Sequence, residues 1–271
     1  MPSRLTATFD ALRNAQRPGL VTYTTAADPD IARSGEILRA LDRAGADVLE
    51  VGVPFSDPLA DGPVIQRATE RALAAGGNLR VTLDIIRNVR SDVKAPIVVF
   101  SYANPLLRMG TAAFAAQASA AGVDGVLALD LPIEEAGEFQ ATMDAAGLDT
   151  IFLLSPTTTD ERIQKAAKLG RGFLYGISRL GVTGARDQVA AGADAMVRRI
   201  RAFTSMPIAL GFGISRPEHV AEVGGYADAA VVGSALVALI AKESGSPQLL
   251  ERVEEYVRSL RAACRPRELA R

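Results

Sequence analysis

Short apolar segments recur along this chain and alternate with longer segments of helical periodicity. Eight of these segments are apolar almost throughout, which is typical of parallel strands that are buried on both faces. They span residues 20–24, 47–51, 96–100, 125–129, 150–154, 172–176, 207–211 and 229–232. The alternation predicts strands that are each followed by a helix.

The segments between the strands carry apolar residues with a helical spacing. In residues 31–44, Ile37, Leu38 and Leu41 fall on one face, which predicts an amphipathic helix. Residues 1–16 read as a further short amphipathic helix with Leu5, Phe9 and Leu12 on one face. Several of the predicted helices end at a glycine before the next strand. These glycines are Gly45, Gly122, Gly147 and Gly170.

Eight strand–helix units predict the α/β class and a (β/α)8 TIM barrel with an extra N-terminal helix. The chain shows no low-complexity linker and no shift in composition, so we expect residues 1–271 to form a single barrel domain. A doubly wound open sheet is the alternative. It is the weaker interpretation because no GxGxxG follows the first strand.

Composition and charge exclude several classes of function. The chain has 30 basic and 31 acidic residues among 271, and its formal net charge is −1, so we expect neither a nucleic acid partner nor a membrane surface. No apolar run reaches membrane-spanning length. A single cysteine, Cys264, allows no internal disulfide, and the cytoplasm is the expected location.

Two further expectations concern the only histidine and the only cysteine. With a single histidine we expect no multi-histidine metal site and no histidine-based triad. His219 lies in the helix after the seventh strand and is expected at the surface. Cys264 lies in a basic C-terminal segment that we expect to be solvated and partly frayed.

Two acidic residues are the strongest candidates for chemistry. Glu50 stands within an apolar strand, where a charge is costly unless it has a task. Asp61 follows at the end of a loop stiffened by Pro54 and Pro58. In (β/α)8 barrels the chemistry lies at the C-terminal ends of the strands, so both acids are expected at the mouth of the barrel. Two acidic residues beside an apolar pocket can carry out acid–base catalysis.

Glycine-rich loops follow the last three strands. GFGIS at residues 211–215 and VVGSA at residues 231–235 each precede a helix, and backbone N–H groups at a helix start can bind an anion. Gly213, Gly233 and Ser234 are therefore candidate phosphate ligands, with Gly184 in the loop after strand six. The alternative is that these glycines only form tight turns. The segment 178–185, SRLGVTGA, is expected to open and close over the site, or to be an ordinary mobile loop.

The chain closely resembles the tryptophan synthase alpha subunit family from end to end. The resemblance rests on four separate motifs in order: AADP at residues 26–29, residues 49–63 around EVGVPFSDPLADGP, YANP at residues 102–105, and SRLGVTGA with the GFGIS and GSA motifs. Val51 departs from the leucine-type residue of the family, and Tyr23 stands where the family often has phenylalanine.

The resemblance implies a carbon–carbon lyase that cleaves indole-3-glycerol phosphate to indole and glyceraldehyde 3-phosphate in tryptophan biosynthesis. It implies Glu50 as the general acid–base, Asp61 as the ionised partner of the indole N–H, and Tyr175 as a lesser contributor. It assigns the mobile loop to Arg179 and Thr183. Asp130 is read as a loop-capping residue. The implied indole-binding residues are Tyr23, Phe100, Tyr102, Leu127, Leu129 and Phe212, although strand-end residues of this kind are often only packing.

The resemblance also implies an alpha2beta2 complex, a heterotetramer with the tryptophan synthase beta subunit. Pyridoxal phosphate is expected only in that partner, and neither a cofactor nor a metal is expected here. The alternatives are a non-catalytic barrel subunit that activates a partner and a stand-alone indole-glycerol phosphate lyase. Phosphate loops alone also allow an indole-glycerol phosphate synthase or a phosphosugar isomerase, although the segment 50–63 argues against both.

Overall fold

The strands form one parallel sheet. The computed structural model describes residues 2–177, 192–211 and 213–266, and seven of the eight predicted strands occur within two residues of their predicted bounds. The observed strands are β1 (Gly19–Thr25), β2 (Val48–Gly52), β3 (Ile97–Ser101), β4 (Gly125–Ala128), β5 (Asp149–Thr150), β6 (Phe152–Leu154), β7 (Leu174–Ile177), β8 (Ile208–Gly211) and β9 (Ala229–Val232).

The predicted fifth strand is divided in two. The strands pair in the order β5-β4-β3-β2-β1-β9-β8-β7-β6, and β5 pairs with β4 whereas β6 pairs with β7. The break falls at Ile151, whose N–H still donates to the Val126 carbonyl at 2.9 Å. This segment passes from one neighbour to the other and brings the two ends of the sheet together. The result is a nearly closed parallel barrel, which confirms the TIM-barrel prediction and excludes the open sheet.

Helices surround the barrel and occur where the apolar periodicity predicts them. The helix predicted over residues 31–44 spans Ile31–Arg43 and is capped by the Asp30 carboxylate, which accepts from the Arg33 N–H at 2.8 Å. The helices are α1 (Arg4–Asn14), α2 (Ile31–Arg43), α3 (Pro63–Ala74), α4 (Leu79–Val89), α5 (Ala103–Met109), α6 (Thr111–Ala121), α7 (Ala136–Ala145), α8 (Asp160–Leu169), α9 (Ala193–Arg201), α10 (Pro217–Gly224), α11 (Ser234–Glu243) and α12 (Leu249–Ala262).

Helix α1 closes the N-terminal end of the barrel, as its amphipathic pattern allows. The Ser3 hydroxyl caps it by accepting from the Thr6 N–H. Its apolar face packs into the barrel interior, and the Phe9 and Phe173 rings lie 5.4 Å apart. A Cβ at position 125 would come within 2.9 Å of Leu5 Cδ1, so Gly125 makes room for the helix. The interior cluster comprises Leu5, Phe9, Leu12, Val21, Val48, Val98, Leu127, Ile151, Phe173, Tyr175, Ala209, Ala229 and Val231.

Strand β2 shows why the strands are apolar throughout and how Glu50 is aimed. Leu49 and Val51 belong to the cluster between the sheet and the helices, whereas Val48 packs in the barrel interior. Side chains alternate along a strand, so Glu50 points to the same side as Val48, into the barrel. The Glu50 carboxyl group therefore lies inside the barrel, near the C-terminal ends of the strands.

The expectations for His219 and Cys264 are wrong. His219 is only 5% exposed, because α10 turns this side chain toward the chain that enters the helix, where its Nδ1 accepts from the Ser215 N–H. Cys264 is 3% exposed and packs in the main core after α12, and burial raises the pKa of its thiol to about 11. Cys264 itself is therefore packed, whereas Arg265 and Pro266 beside it are exposed. Among the described helices, none is both long enough and apolar enough to cross a membrane.

Candidate active site

A cavity of about 280 Å³ opens at the C-terminal end of the barrel. Strand-end residues from around the ring form its walls, and two acidic residues, Asp61 and Asp130, lie in them. The apolar and aromatic wall is made by Tyr23, Ile65, Phe100, Leu129, Leu153, Tyr175, Ile177, Ile214 and Val231. Gly213, Gly233 and Ser234 also line the cavity. Concave, mostly apolar sites with few polar groups are typical of small-molecule binding.

Glu50 is fully buried behind this cavity. It pairs in register with Tyr23 of β1 and Val98 of β3, and its side chain does not line the cavity. Among the described residues, neither carboxyl oxygen has a hydrogen-bond partner. Burial raises the pKa of Glu50 from 4.5 to about 8. The group can therefore hold or release a proton near neutral pH.

Two tyrosines lie close to Glu50 and line the cavity. The pKa of Tyr175 is raised by burial and by the charge of Glu50, and the pKa of Tyr23 is raised by burial and by the charges of Asp61 and Glu50. Both hydroxyls occupy space over glycines, because a Cβ at Gly52 or Gly211 would overlap them. These two glycines escaped the sequence reasoning. The sequence could have indicated them, because both glycines stand at the end of a strand, at positions where a side chain would point into the barrel.

Asp61 is held by its loop and by Tyr102. The Tyr102 hydroxyl donates to Asp61 Oδ2 at 3.0 Å and accepts from the Ala60 N–H at 3.0 Å. Gln66 Nε2 donates to the Asp61 carbonyl at 2.8 Å. Burial raises the pKa of Asp61 to about 6, and the hydrogen bond from Tyr102 opposes that rise. Asp61 is therefore mostly ionised at neutral pH, although less strongly than an exposed aspartate.

Two of the predicted indole-binding residues lie elsewhere than in the cavity wall. Leu127 is fully buried one layer below, among the residues of the barrel interior, because it precedes Leu129 by one step of the inward alternation. Tyr102 does not line the cavity either. Its ring packs 5.3 Å from that of Phe55, and its hydroxyl is taken up by the Asp61 loop. Tyr23, Phe100 and Leu129 do line the cavity.

The aromatic residues of the wall pack edge to face. Tyr23 and Phe100 have ring centroids 5.5 Å apart at 80°, and Phe100 and Tyr175 are 6.4 Å apart at 68°. Edge-to-face packing is a preferred geometry of aromatic pairs and stabilises the wall beyond the area that it buries. Asp130 has the role expected of it, since its carboxylate accepts from the Ala103 N–H at 2.6 Å.

The start of α11 forms the other end of the cavity. Gly233 precedes the helix and Ser234 begins it, and among the residues that the structure describes no side chain caps the first N–H groups of the helix. Among the described residues, the atoms nearest to a Cβ at Gly233 would be those of Tyr23, at 3.5 Å or more, which is an ordinary van der Waals distance. Gly213 faces it with a φ of +81°, a conformation that favours glycine. Uncapped N–H groups at a helix start attract an anion.

Four predicted site residues lie outside the described part of the chain, namely Arg179, Thr183, Gly184 and Phe212. Within the described part, no group of three or more histidine, cysteine or acidic residues is arranged to hold a metal ion. A parallel barrel with two buried carboxyl groups of raised pKa at its C-terminal mouth belongs to the class of (β/α)8 enzymes that carry out acid–base chemistry.

Comparison with known proteins identifies the family within this class. The family model described as tryptophan synthase alpha chain matches residues 9–265. The tryptophan synthase alpha chain of Geobacter sulfurreducens is 50% identical over 261 residues, which cover 96% of this chain and 98% of the relative. That of Methylococcus capsulatus is 49% identical over 247 residues, which cover 91% and 92%.

Solved structures agree with the sequence comparison. A structure of Mycobacterium tuberculosis tryptophan synthase aligns with a TM-score of 0.90 at 38% identity and covers 98% of this chain and 99% of that chain. The alpha subunit from Legionella pneumophila aligns with a TM-score of 0.89 at 35% identity, covering 97% and 99%. The chain therefore belongs to the tryptophan synthase alpha chain family. Its members are carbon–carbon lyases that cleave indole-3-glycerol phosphate in tryptophan biosynthesis, which confirms the activity expected from the motifs.

Proposed function

We propose that this chain cleaves indole-3-glycerol phosphate by a retro-aldol reaction in which Glu50 is the general acid–base. The single observation that carries the proposal is the state of Glu50, a fully buried carboxyl group with a pKa raised to about 8 directly behind an apolar cavity. A group of this pKa exchanges a proton readily near neutral pH. Because the carboxyl group is enclosed here, the proposal requires that ligand binding brings it into contact with the substrate.

The reaction needs two proton movements. A proton must reach the ring carbon that carries the glycerol chain, so that the ring leaves as neutral indole. The hydroxyl on the adjacent glycerol carbon must lose a proton as the carbon–carbon bond breaks, and it becomes the aldehyde oxygen of glyceraldehyde 3-phosphate. The bonding electrons return to the ring. One group that both donates and accepts, as Glu50 does at its raised pKa, serves both movements.

Asp61 stabilises the charged ring in this scheme. Protonation of the ring carbon places positive charge on the indole nitrogen, and an ionised carboxylate that accepts from the N–H balances that charge. Support comes from the place of Asp61 in the cavity wall and from its pKa of about 6, which leaves it mostly ionised at neutral pH. Tyr175 lines the same wall beside Glu50 and contributes to positioning.

The two ends of the cavity suit the two ends of the substrate. Tyr23, Phe100 and Leu129 offer an apolar slot for indole, with Leu153 and Ile177 added to the expected set. The phosphate is assigned to the N–H groups around Gly213, Gly233 and Ser234, where a helix start lacks a cap. Gly184, Phe212 and the loop residues Arg179 and Thr183 keep the roles implied by the resemblance as part of this proposal.

A beta subunit is the proposed partner, in an alpha2beta2 complex within the cytoplasm. Solved structures of tryptophan synthase resemble this chain. Of the four large apolar side chains that are exposed among the described residues, Leu59 at 89% precedes Asp61 in its loop and Leu107 at 57% lies in α5 after β3. Exposed apolar side chains beside a site are suited to a protein contact. Pyridoxal phosphate is assigned to that partner.

The test is indole release from indole-3-glycerol phosphate, measured with and without the matching beta subunit. We expect release by the chain alone and an increase on addition of the partner, because a partner at the barrel mouth favours closed loops. No release in either condition would favour a non-catalytic activating subunit. Release that a titration leaves unchanged, with no complex at micromolar concentrations, would favour the stand-alone lyase.

A further inference from the structure

The loop after β8 is held from two helices at a single residue. It carries Gly213 and Ile214 into the cavity wall, and Ser215 follows them directly. The Ser215 N–H donates to His219 Nδ1 at 3.3 Å, and the Ser215 carbonyl accepts from the Tyr256 hydroxyl at 2.8 Å. Both backbone groups of one residue are thus engaged by side chains from α10 and α12.

The bond to His219 resembles a capping box displaced by one residue. Helix α10 begins at Pro217, so His219 is its third residue, and at that position Glu or Gln side chains reach back to a backbone N–H before the helix. Here the imidazole reaches Ser215. A ring nitrogen accepts only when it carries no proton, so the ring is the tautomer protonated at Nε2. The side chain is only 5% exposed, so the atoms packed around it keep the ring in this orientation.

The bond from Tyr256 ties the same residue to a packed helix. Tyr256 stands on α12, whose Val253, Val257 and Leu260 are completely buried in the main core. Burial raises the pKa of Tyr256 to about 12, so its hydroxyl stays a donor across the physiological range. The Ser215 carbonyl is therefore anchored to the core of the protein and not to another surface loop.

We propose that His219 and Tyr256 are positioning residues that set the backbone of Gly213 and Ile214 for the phosphoryl end of the substrate. The inference rests on the proposed phosphate site and deepens it. Backbone N–H groups bind an oxyanion well only when they are held within a few tenths of an ångström. A loop that is ordered before binding also spares the ligand the cost of ordering it.

The competing explanation is that the two bonds only stabilise α10. It predicts a loss of thermal stability with unchanged ligand affinity. Two matched controls measure that effect. Ser3→Ala removes a helix cap at the opposite end of the barrel. Tyr226→Phe removes a buried tyrosine hydroxyl that has no hydrogen-bond partner among the described residues.

The experiment uses the full chain with the variants His219→Leu, His219→Asn and Tyr256→Phe. Binding of glycerol 3-phosphate is measured by calorimetry, and kcat and KM are measured for indole-3-glycerol phosphate. For His219→Leu and Tyr256→Phe we expect the Kd and KM each to rise about 5- to 30-fold, with kcat changed less than about threefold, because one ordering hydrogen bond is lost in each. His219→Asn should recover most of the affinity, since an amide oxygen can stand near the place of Nδ1.

The outcomes separate this inference from the proposed phosphate site. Wild-type protein that fails to bind glycerol 3-phosphate overturns the phosphate site and this inference with it. Wild-type binding with variant affinities within twofold, and a loss of melting temperature like that of Ser3→Ala, overturns the positioning role alone. If His219→Leu does not fold, Tyr256→Phe and His219→Asn decide the matter by the same affinities.

Discussion

Glu50 and Asp61 at the C-terminal end of the barrel differ in their partners from three half-buried aspartates at the other end. At the N-terminal end, three aspartates each stand directly before a strand and accept from a backbone N–H near the start of a neighbouring strand. Each also faces an arginine. Asp47 accepts from Leu20 N at 2.9 Å and pairs with Arg17, Asp124 accepts from Ile97 N at 2.8 Å and pairs with Arg90, and Asp228 accepts from Ile208 N at 2.8 Å and pairs with Arg201.

At the C-terminal end, Glu50 and Asp61 face no arginine or lysine among the described residues, and their pKa values rise to about 8 and about 6. Burial also raises the pKa of Asp124, but the Ile97 N–H and the Arg90 guanidinium oppose it. Burial alone therefore does not distinguish the two ends. The difference lies in the partners, which make a carboxylate structural at one end and leave it titratable near neutral pH at the other.

The largest expected effect comes from Glu50→Gln, with Asp124→Asn as the matched change at the other end. Glu50→Gln keeps the shape of the site but removes the proton exchange, so we expect kcat to fall about 100- to 10,000-fold with binding retained. Asp124→Asn should keep kcat and lose about 1–3 kcal/mol of unfolding free energy, because its charged hydrogen bonds weaken. Steady-state kinetics and denaturant titration measure both. Near-native turnover in Glu50→Gln would contradict the assignment of Glu50 as the general acid–base.

The raised pKa of Glu50 also predicts a pH dependence of stability. The folded-state pKa of Glu50 lies above its ordinary value of 4.5, so the folded protein binds more protons, and stability is lost as pH rises from about 4.5 to about 8. Glu50→Gln lacks this loss. Its stability relative to wild type should therefore be higher at pH 9 than at pH 5 by about 1 kcal/mol or more. A constant difference across this range would show that Glu50 is not perturbed.

Asp61→Asn should cost less than Glu50→Gln but still reduce kcat about 100- to 1,000-fold. A neutral amide can fill the same space and cannot balance a positive charge on the ring nitrogen. The measurement is kcat and KM for indole-3-glycerol phosphate. Turnover like that of the wild type would restrict Asp61 to a structural role and would make it resemble the aspartates of the opposite end.

Asp28 tests whether location or pairing governs these carboxylates. It lies after β1, at the same end as Glu50, yet Arg71 of α3 binds it with two hydrogen bonds of 2.8 and 2.9 Å. Arg71→Met strands a carboxylate that is 3% exposed, and we expect a loss of about 2–4 kcal/mol in unfolding free energy.

The control is Arg67→Met on an exposed position of the same helix, which should change stability by less than about 0.5 kcal/mol. Without its cation the folded-state pKa of Asp28 rises, so the loss in Arg71→Met should grow as pH increases above the ordinary pKa. Equal stability of the two variants in denaturant titrations would mean that pairing is not what holds Asp28.

The smallest expected effect concerns the acidic limb of the pH–rate profile. If the reaction needs ionised Asp61 and protonated Glu50, kcat/KM should fall below about 6 and above about 8. Tyr102→Phe removes the hydrogen bond that favours the ionised form of Asp61. The acidic limb should then move upward by up to about one pH unit while the alkaline limb stays in place. If the acidic limb does not move, the titration of Asp61 does not cause that limb. Tyr226→Phe is the control.

Residues that depend on local pattern were predictable, whereas residues that depend on neighbours were not. The alternation of apolar segments with helical segments predicted β1 to β4 and β9 almost to the residue. The position of Glu50 within an apolar strand indicated it as a candidate for acid–base chemistry. The alternation tells which way a side chain points and not which layer of the barrel it reaches, so it does not show that Leu127 lies in the barrel interior below Leu129. The contact of Tyr102 with Asp61 depends on a loop distant in sequence. The division of the fifth strand was not visible either, since it depends on which neighbour each half meets. That the chain is one domain stays a prediction.

The sequence by itself determined the eight strand–helix units, the amphipathic N-terminal helix, the two acids and the glycine loops, because hydrophobic period and turn chemistry are local properties of the chain. Only the tertiary structure decided that Glu50 faces no cation among the described residues while Asp28 and Asp124 have one, that Tyr102 holds Asp61, and that His219 is buried against Ser215. A carboxyl group acquires its pKa from the dielectric, the charges and the donors around it. Those surroundings come from residues distant in sequence, so they exist only once the barrel has closed.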